Sequence, residues 1–166
     1  MKVLVTGASG AGKTYVSSQL RELGYPAVDS DDIGGLSGWF DGQGNRVDYP
    51  AAAGAEFLEN HRFLWNRKFL EEYLALHPDI YIFGMAGNAF EMLDLFDKVY
   101  FLKVPPKIQM ERLLHPLRAN PMGQTEYQRK NAVWWAQMLE RDAKKLAIPM
   151  IDATKSPKEI WEIISQ

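Results

Sequence analysis

The sequence predicts an α/β domain: a five-stranded parallel sheet with helices on both faces. Three observations carry that prediction. Short apolar runs alternate five times with helix-length segments, the chain order of a parallel sheet with crossover helices. A glycine-rich turn, Gly7-x-x-x-x-Gly12-Lys13-Thr14, joins the first apolar run to the first helical segment. The other glycine-rich and polar segments mostly follow a strand, so they gather on the sheet edge formed by the strands' carboxyl ends, where open α/β sheets bind ligands. No repeat or linker interrupts the chain, and residues 1–166 read as one domain.

The first strand is centred on Val3-Leu4-Val5. A helix over about residues 12–23 follows, with Val16, Leu20 and Leu23 on one face and Gly24 as its stop. Tyr25 to Val28 forms a second strand that delivers Asp29-Ser30-Asp31-Asp32 at its end. Residues 33–50 form an irregular insert, in which Asp41-Gly42-Gln43-Gly44-Asn45 reads as a turn between two extended pieces. Leu58, Trp65, Phe69, Tyr73 and Leu76 recur at helical spacing and predict one long helix over residues 51–76, ended by His77-Pro78.

Ile80 to Phe83 is a third strand, closing on Gly84-Met85-Ala86-Gly87-Asn88, and a short helix runs through Phe90, Leu93 and Leu95. Val99 to Val104 is the fourth strand, and Pro106 opens a helix that carries Arg112. Residues 113–124 hold two prolines and a glycine and read as a lid. A long helix from about residue 125 to 146, capped by Thr125, leads to a fifth strand at Ile148 to Ile151. The last helix starts with Ser156 as cap, Pro157 in its first turn and Glu159 completing a capping box.

Composition narrows the function. Hydrophobic residues make up 46% and charged residues 24% of the chain, an ordinary globular balance. A net charge of -2 gives no basis for nucleic acid or an anionic membrane as partner, so positive charge for phosphates has to be local. The absence of cysteine rules out thiol chemistry and disulfides. The opening apolar run is too short for a signal peptide and no stretch reaches membrane-spanning length, so the expectation is a cytoplasmic protein, monomeric or homodimeric.

The glycine turn has the spacing of a phosphate-binding loop. Gly7, Ala8, Ser9, Gly10, Ala11 and Gly12 let main-chain N–H groups curl around an anion, and the helix N-terminus adds its own donors. Lys13 reaches the β- and γ-phosphates, and the Thr14 hydroxyl ligates Mg²⁺. The expected cofactors are therefore ATP and Mg²⁺. Beside the loop, Asp29 is assigned to Mg²⁺ through water, and Asp31 to accepting or orienting the acceptor hydroxyl's proton, with Asp32 as an alternative base.

Arg112 and Arg118, at the lid, supply guanidinium groups for the phosphates, Arg118 as the catalytic one. For the acceptor, a small metabolite, Arg62 on the long helix and Trp39 in the insert are candidates, although Trp39 serves equally well as a hydrophobic plug. Trp134 and Trp135 read as packing residues.

Two other readings of the same residues remain open. Thr6 to Gly12 is similar to the glycine turn of short-chain dehydrogenases, but no tyrosine here has a lysine four residues later. A nucleotide-operated switch or partner-coupled ATPase lacks support from an Asn-Lys-x-Asp motif or a strand ending in Asp-Glu.

Taken together, these residues resemble the small P-loop kinases of the adenylate kinase, shikimate kinase and gluconate kinase type. Val28-Asp29-Ser30-Asp31 is similar to the Asp-x-Asp of shikimate kinases, whose first acid helps hold Mg²⁺ and whose second meets the acceptor hydroxyl. Gly84 to Asn88 stands where that group has a glycine-rich substrate segment, which implies acceptor contacts from Gly84 and Asn88. Arg112 resembles the group's lid-entry arginine, and Ile151-Asp152-Ala153-Thr154 its adenine-side loop, which implies a nucleotide contact from Thr154. The resemblance departs at Trp65, which stands three residues after Arg62 in place of a glutamate, and in the insert. It implies a P-loop NTPase fold of the nucleoside-monophosphate-kinase kind and transfer of phosphate from ATP to a nucleoside, nucleotide or sugar or cyclic acid.

Overall fold

The computed structural model describes residues 1–50, 53–115, 123 and 125–166. In chain order its elements begin with β1 (Lys2–Thr6), α1 (Lys13–Glu22), β2 (Ala27–Asp29), a 3₁₀ turn (Ser30–Asp32), β3 (Ser37–Phe40) and β4 (Arg46–Val47). They continue with α2 (Ala55–Asn60), β5 (Arg62–Trp65), α3 (Arg67–Leu76), β6 (Ile80–Phe83) and a 3₁₀ segment (Ala89–Leu95). The last are β7 (Lys98–Lys103), α4 (Pro106–Leu113), α5 (Glu126–Lys145), β8 (Met150–Asp152) and α6 (Pro157–Ile164).

The five expected parallel strands pair in the order β2-β6-β1-β7-β8. β1 lies at the centre, with Leu4 in register with Ile82 on one side and Val99 on the other. Alternation along β1 sends its side chains to opposite faces. Val3 and Val5 pack with Val16, Leu20, Ile160 and Ile164 from α1 and α6. Leu4 packs with Leu70 and Leu74 of α3 and Met92 of the 3₁₀ segment. Helices therefore cover both faces, and the phosphate-loop residues emerge mid-edge from a strand anchored on both sides.

The single helix over 51–76 does not form. The chain breaks into α2, β5 and α3, and β5 pairs antiparallel with β3, whose other neighbour is β4. Two local causes favour the break. Asn66 caps α3, its side chain accepting from the Phe69 amide at 3.1 Å. Phe63 and Trp65 then point one way from an extended strand, and the small sheet buries Trp65. The apolar stripe is half wrong as well: α3 buries Leu70 and Leu74, while Leu76 is 79% exposed. Arg62 accordingly stands on a strand, opposite Phe40, and not on a helix.

Asp41 to Asn45 makes the expected turn, with Asp41 Oδ1 accepting from the amides of Gln43 and Asn45 at 2.9 and 2.8 Å. The second strand ends at Asp29, and the acids beyond it lie in a 3₁₀ turn and not on an extended strand. Capping boxes start α5 at Thr125 and Gln128, and α6 at Ser156 and Glu159. Trp134 and Trp135 are about half exposed, so neither belongs to the core. Among the described residues no helix is long and apolar enough to cross a membrane.

Candidate active site

Gly12 closes the glycine loop in the left-handed region, at φ +93°, as the residue before α1. A Cβ there would also lie 3.2 Å from Arg112 Nη1. Lys13 Nζ donates to the carbonyls of Gly7 at 2.6 Å and Ala8 at 3.0 Å, so the ammonium spans the loop it follows. Thr14, beside it, is exposed.

The loop is braced from behind by α4. Gln109, 1% exposed, donates through Nε2 to the Ser9 carbonyl at 2.8 Å and to the Ala132 carbonyl of α5 at 3.2 Å. One turn on, Arg112 Nη1 donates to the carbonyls of Ala11 at 3.1 Å and Gly10 at 3.4 Å, and Nη2 to Ala153 at 3.0 Å. Arg112 thus joins the glycine loop to the segment after β8. There Thr154 is turned onto Asp152 Oδ1, through its amide at 2.8 Å and its hydroxyl at 2.7 Å.

The acids after β2 divide into three environments. Asp29 is buried, and its Oδ1 accepts from the Asp31 amide at 2.9 Å, which fixes the 3₁₀ turn. Asp32 pairs with Arg21 of α1 at 3.0 Å, with both side chains more than half exposed. Asp31 is exposed at the surface, with its carboxyl partly withdrawn from water. That desolvation and the nearby Asp29 raise its pKa, against the pull of Lys13 and a hydrogen bond from Ser30. A 3₁₀ turn capped by Asp29, and not the alternation of an extended strand, relates Asp29 to Asp31.

The segment after β6 is a packing surface. A Cβ on Gly84 would fall 2.1 Å from Ser30 Oγ and 2.8 Å from Trp65 Cζ2, so only glycine lets β5 and the 3₁₀ turn after β2 meet there. The Gly87 amide donates to the Phe63 carbonyl at 2.7 Å. Asn88 Oδ1 accepts from the Trp65 amide and its Nδ2 donates to the Trp65 carbonyl, both at 2.9 Å. Residues 84–88 therefore occupy the outer edge of β5 and tie the small sheet to the central one.

Trp39 lies within an aromatic cluster, its ring centroid 5.0 Å from Tyr49, 5.4 Å from Phe57 and 5.5 Å from Phe63. Both of its expected uses are compatible with that setting: it pins the insert, and it stands on the sheet face that Trp65 and Phe63 also occupy. Arg62 is exposed at the far end of β5. Arg118 and most of the expected lid over 113–124 lie outside the described residues.

Gln109, Ser30 and Trp65 adjoin the candidate site residues and were not among those expected from the sequence. Gln109 had a signal, since it stands three residues before Arg112 and shares its helix face. Ser30 and Trp65 had none, because they meet at Gly84 from distant parts of the chain.

No protein-family model matches the sequence, and no curated protein does either. Solved structures do. A deoxyadenosine kinase from M. mycoides with bound dATP is 13% identical with a TM-score of 0.53, over 99% of this chain and 97% of that one. A shikimate kinase from Acinetobacter baumannii in complex with shikimate is 19% identical with a TM-score of 0.57, over 98% and 92%. A shikimate kinase from Bacteroides thetaiotaomicron is 17% identical with a TM-score of 0.56, over 99% and 98%. The chain has the fold of the small P-loop kinases.

Proposed function

We propose that the protein transfers the terminal phosphoryl group of ATP to a hydroxyl of a small metabolite. The observation that carries the reading is Lys13 spanning the glycine loop with Asp31, of raised pKa, in its electrostatic reach. Phosphoryl transfer asks a protein to hold phosphates, aim the acceptor and stabilise spreading negative charge. Main-chain amides of residues 7–14 and the Lys13 ammonium hold the triphosphate, Lys13 exchanging the Gly7 and Ala8 carbonyls for phosphate oxygens.

The donor set suits Mg²⁺: the Thr14 hydroxyl is exposed and only Oδ1 of Asp29 is engaged by the Asp31 amide. These two residues would hold the ion, Asp29 through water, and it would neutralise charge on the phosphates. Asp31 accepts the acceptor hydroxyl's hydrogen bond and then its proton, and the new bond forms between that oxygen and the γ-phosphorus as the bond to ADP breaks. A raised pKa makes Asp31 a better proton acceptor than a surface carboxylate. Asp32, paired with Arg21, is the weaker candidate for base.

Arg112 steadies the loop and the Thr154 segment against the nucleotide, and Arg118 supplies positive charge to the transferring group. Trp39 lines the acceptor side, with Gly84 where Ser30 and Trp65 meet, Arg62 at the outer end of β5 and Asn88 holding that strand. The flat aromatic face and the deoxyadenosine and shikimate kinase neighbours favour a nucleoside or a cyclic acid. The test is ADP release with ATP and Mg²⁺ against deoxyadenosine, deoxycytidine, nucleoside monophosphates, shikimate and gluconate. Turnover dependent on one of them, and lost in Lys13→Ala, supports the reading. ATP binding without turnover of any acceptor opposes it.

A further inference from the structure

Trp65 is 3% exposed, and its indole Nε1 is the one buried side-chain nitrogen or oxygen among the described residues that lacks a hydrogen-bond partner. Such groups are rare in native proteins, and a phenylalanine would fill similar space without leaving a donor unpaired. The position of this donor is informative. Cζ2, on the same ring edge as Nε1, borders the space that a side chain on Gly84 would fill, and so do Ser30 Oγ and Cβ. Ser30 is 1% exposed, and its hydroxyl donates to Asp31 Oδ1 at 3.5 Å, the long limit of a hydrogen bond. The ring edge of a sealed indole donor and a loosely held buried hydroxyl therefore meet at the space that Gly84 leaves open by having no side chain.

We propose that Ser30 is a rotary hydrogen-bond switch, bonded to Asp31 while the acceptor is absent and turned to the Trp65 N–H when the acceptor hydroxyl takes its place. The inference rests on the assignment of Asp31 to the acceptor. Asp31 gives up a weak bond from Ser30 and gains a better one from the acceptor hydroxyl. The released Ser30 oxygen has lone pairs to offer, and the nearby unsatisfied donor is the indole. Bonded there, Ser30 no longer competes for the carboxylate, and the β2 end is tied to β5, the wall of the acceptor side. Trp65 and Ser30 are positioning residues in this account, since they act through Asp31 and touch no substrate.

The experiment follows the indole signals of the five tryptophans in nitrogen-labelled protein, with Trp65→Phe assigning the relevant one. Its first arm needs no acceptor. Asp31→Ala removes the partner of Ser30, so the Trp65 indole proton should move downfield and exchange more slowly, and adding Ser30→Ala should cancel both changes. An unmoved signal in Asp31→Ala, a change that survives Ser30→Ala, or magnetisation transfer from a bound water to this indole in the unaltered protein would each overturn the proposal.

The second arm is kinetic and uses whichever of deoxyadenosine, deoxycytidine, shikimate or gluconate is turned over. Trp65→Phe should lower kcat/KM for that acceptor roughly tenfold, the weight of one buried hydrogen bond, and leave the ATP affinity unchanged. Unaltered kcat/KM would sink the proposal while leaving the kinase reading intact. A switch in the first arm with no turnover of any acceptor would separate the two in the opposite sense.

Discussion

Asn88 grips the backbone of Trp65 from one side with both ends of its amide, Oδ1 on the N–H and Nδ2 on the carbonyl, each at 2.9 Å. The two bonds do for β5 what another strand would do, and they come from the segment that follows β6. A residue expected to touch the acceptor therefore sets the place of the strand that carries Trp65.

Asn88→Ala leaves the backbone N–H and C=O of buried Trp65 without their Asn88 partners. The expected loss of stability is roughly 2 kcal/mol, read from urea unfolding at neutral pH. Asn88→Asp should not restore it, because a carboxylate has no donor for the Trp65 carbonyl. An unfolding midpoint unchanged in both variants would show that the clamp contributes nothing.

Gly84→Ala tests the meeting point of β2, β5 and β6. The new methyl would overlap Ser30 Oγ at 2.1 Å and Trp65 Cζ2 at 2.8 Å, so Ser30 must turn or the indole must shift. Overpacking of this kind costs about 1–3 kcal/mol. Turnover should fall by more than the stability loss explains, because Ser30 adjoins Asp31. Thermal unfolding and ADP release measured on one preparation separate the two effects.

Asp31→Asn and Asp32→Asn should part company. Without a base at position 31, turnover is expected to fall at least about a hundredfold with ATP affinity changed no more than a few-fold. Asp32→Asn loses an exposed ion pair with Arg21, worth roughly 0.5 kcal/mol, and should lower turnover far less. The reverse order in steady-state rates would move the base to Asp32.

These contrasts follow what was legible in the chain. The strand, glycine loop and helix at residues 2–22 were readable because every determinant is local, and so was the Ser156 capping box. The acid run at Asp29 to Asp32 stood out at a strand end, although its sequence could not tell an extended continuation from the 3₁₀ turn that forms there. The helix expected over 51–76 failed because the apolar spacing of Phe63, Trp65 and Phe69 suits both periods. The deciding forces, pairing with β3 and the clamp from Asn88, lie more than twenty residues away in the chain. Asn66 was the overlooked local sign, a capping residue in the middle of the expected helix.

Acid should loosen the contact between α3 and the 3₁₀ segment after β6. Arg67 bonds Asp94, the Glu91 carbonyl at 3.0 Å and Glu71 at 2.9 Å. The Arg67 guanidinium holds the Asp94 carboxyl below its ordinary pKa. A lowered folded-state pKa gives stability that is present above the unfolded value, near 3.8, and disappears as pH falls through the folded one. Asp94→Asn should therefore have a lower urea midpoint than the unaltered protein at neutral pH, and the gap should close below about pH 4. A gap that persists in acid would mean that charge at Asp94 is not its source.

Arg112 should show the opposite kinetic pattern to Asp31. Its guanidinium reaches carbonyls of Gly10 and Ala11 on one loop and Ala153 on another, a spread that planar, forked donors cover and a lysine ammonium does not. Arg112→Lys and Arg112→Ala should therefore both loosen the loop–loop joint, and ATP affinity, read by calorimetry with Mg²⁺ present, should fall on the order of tenfold, the effect of losing one or two charge-assisted bonds. KM for the acceptor should move less, since β2, β5 and β6 are held by other contacts. If Arg112→Lys bound ATP as tightly as the unaltered protein, the brace would be a matter of charge alone, and the geometry of its three carbonyls would not be what holds the nucleotide side in place.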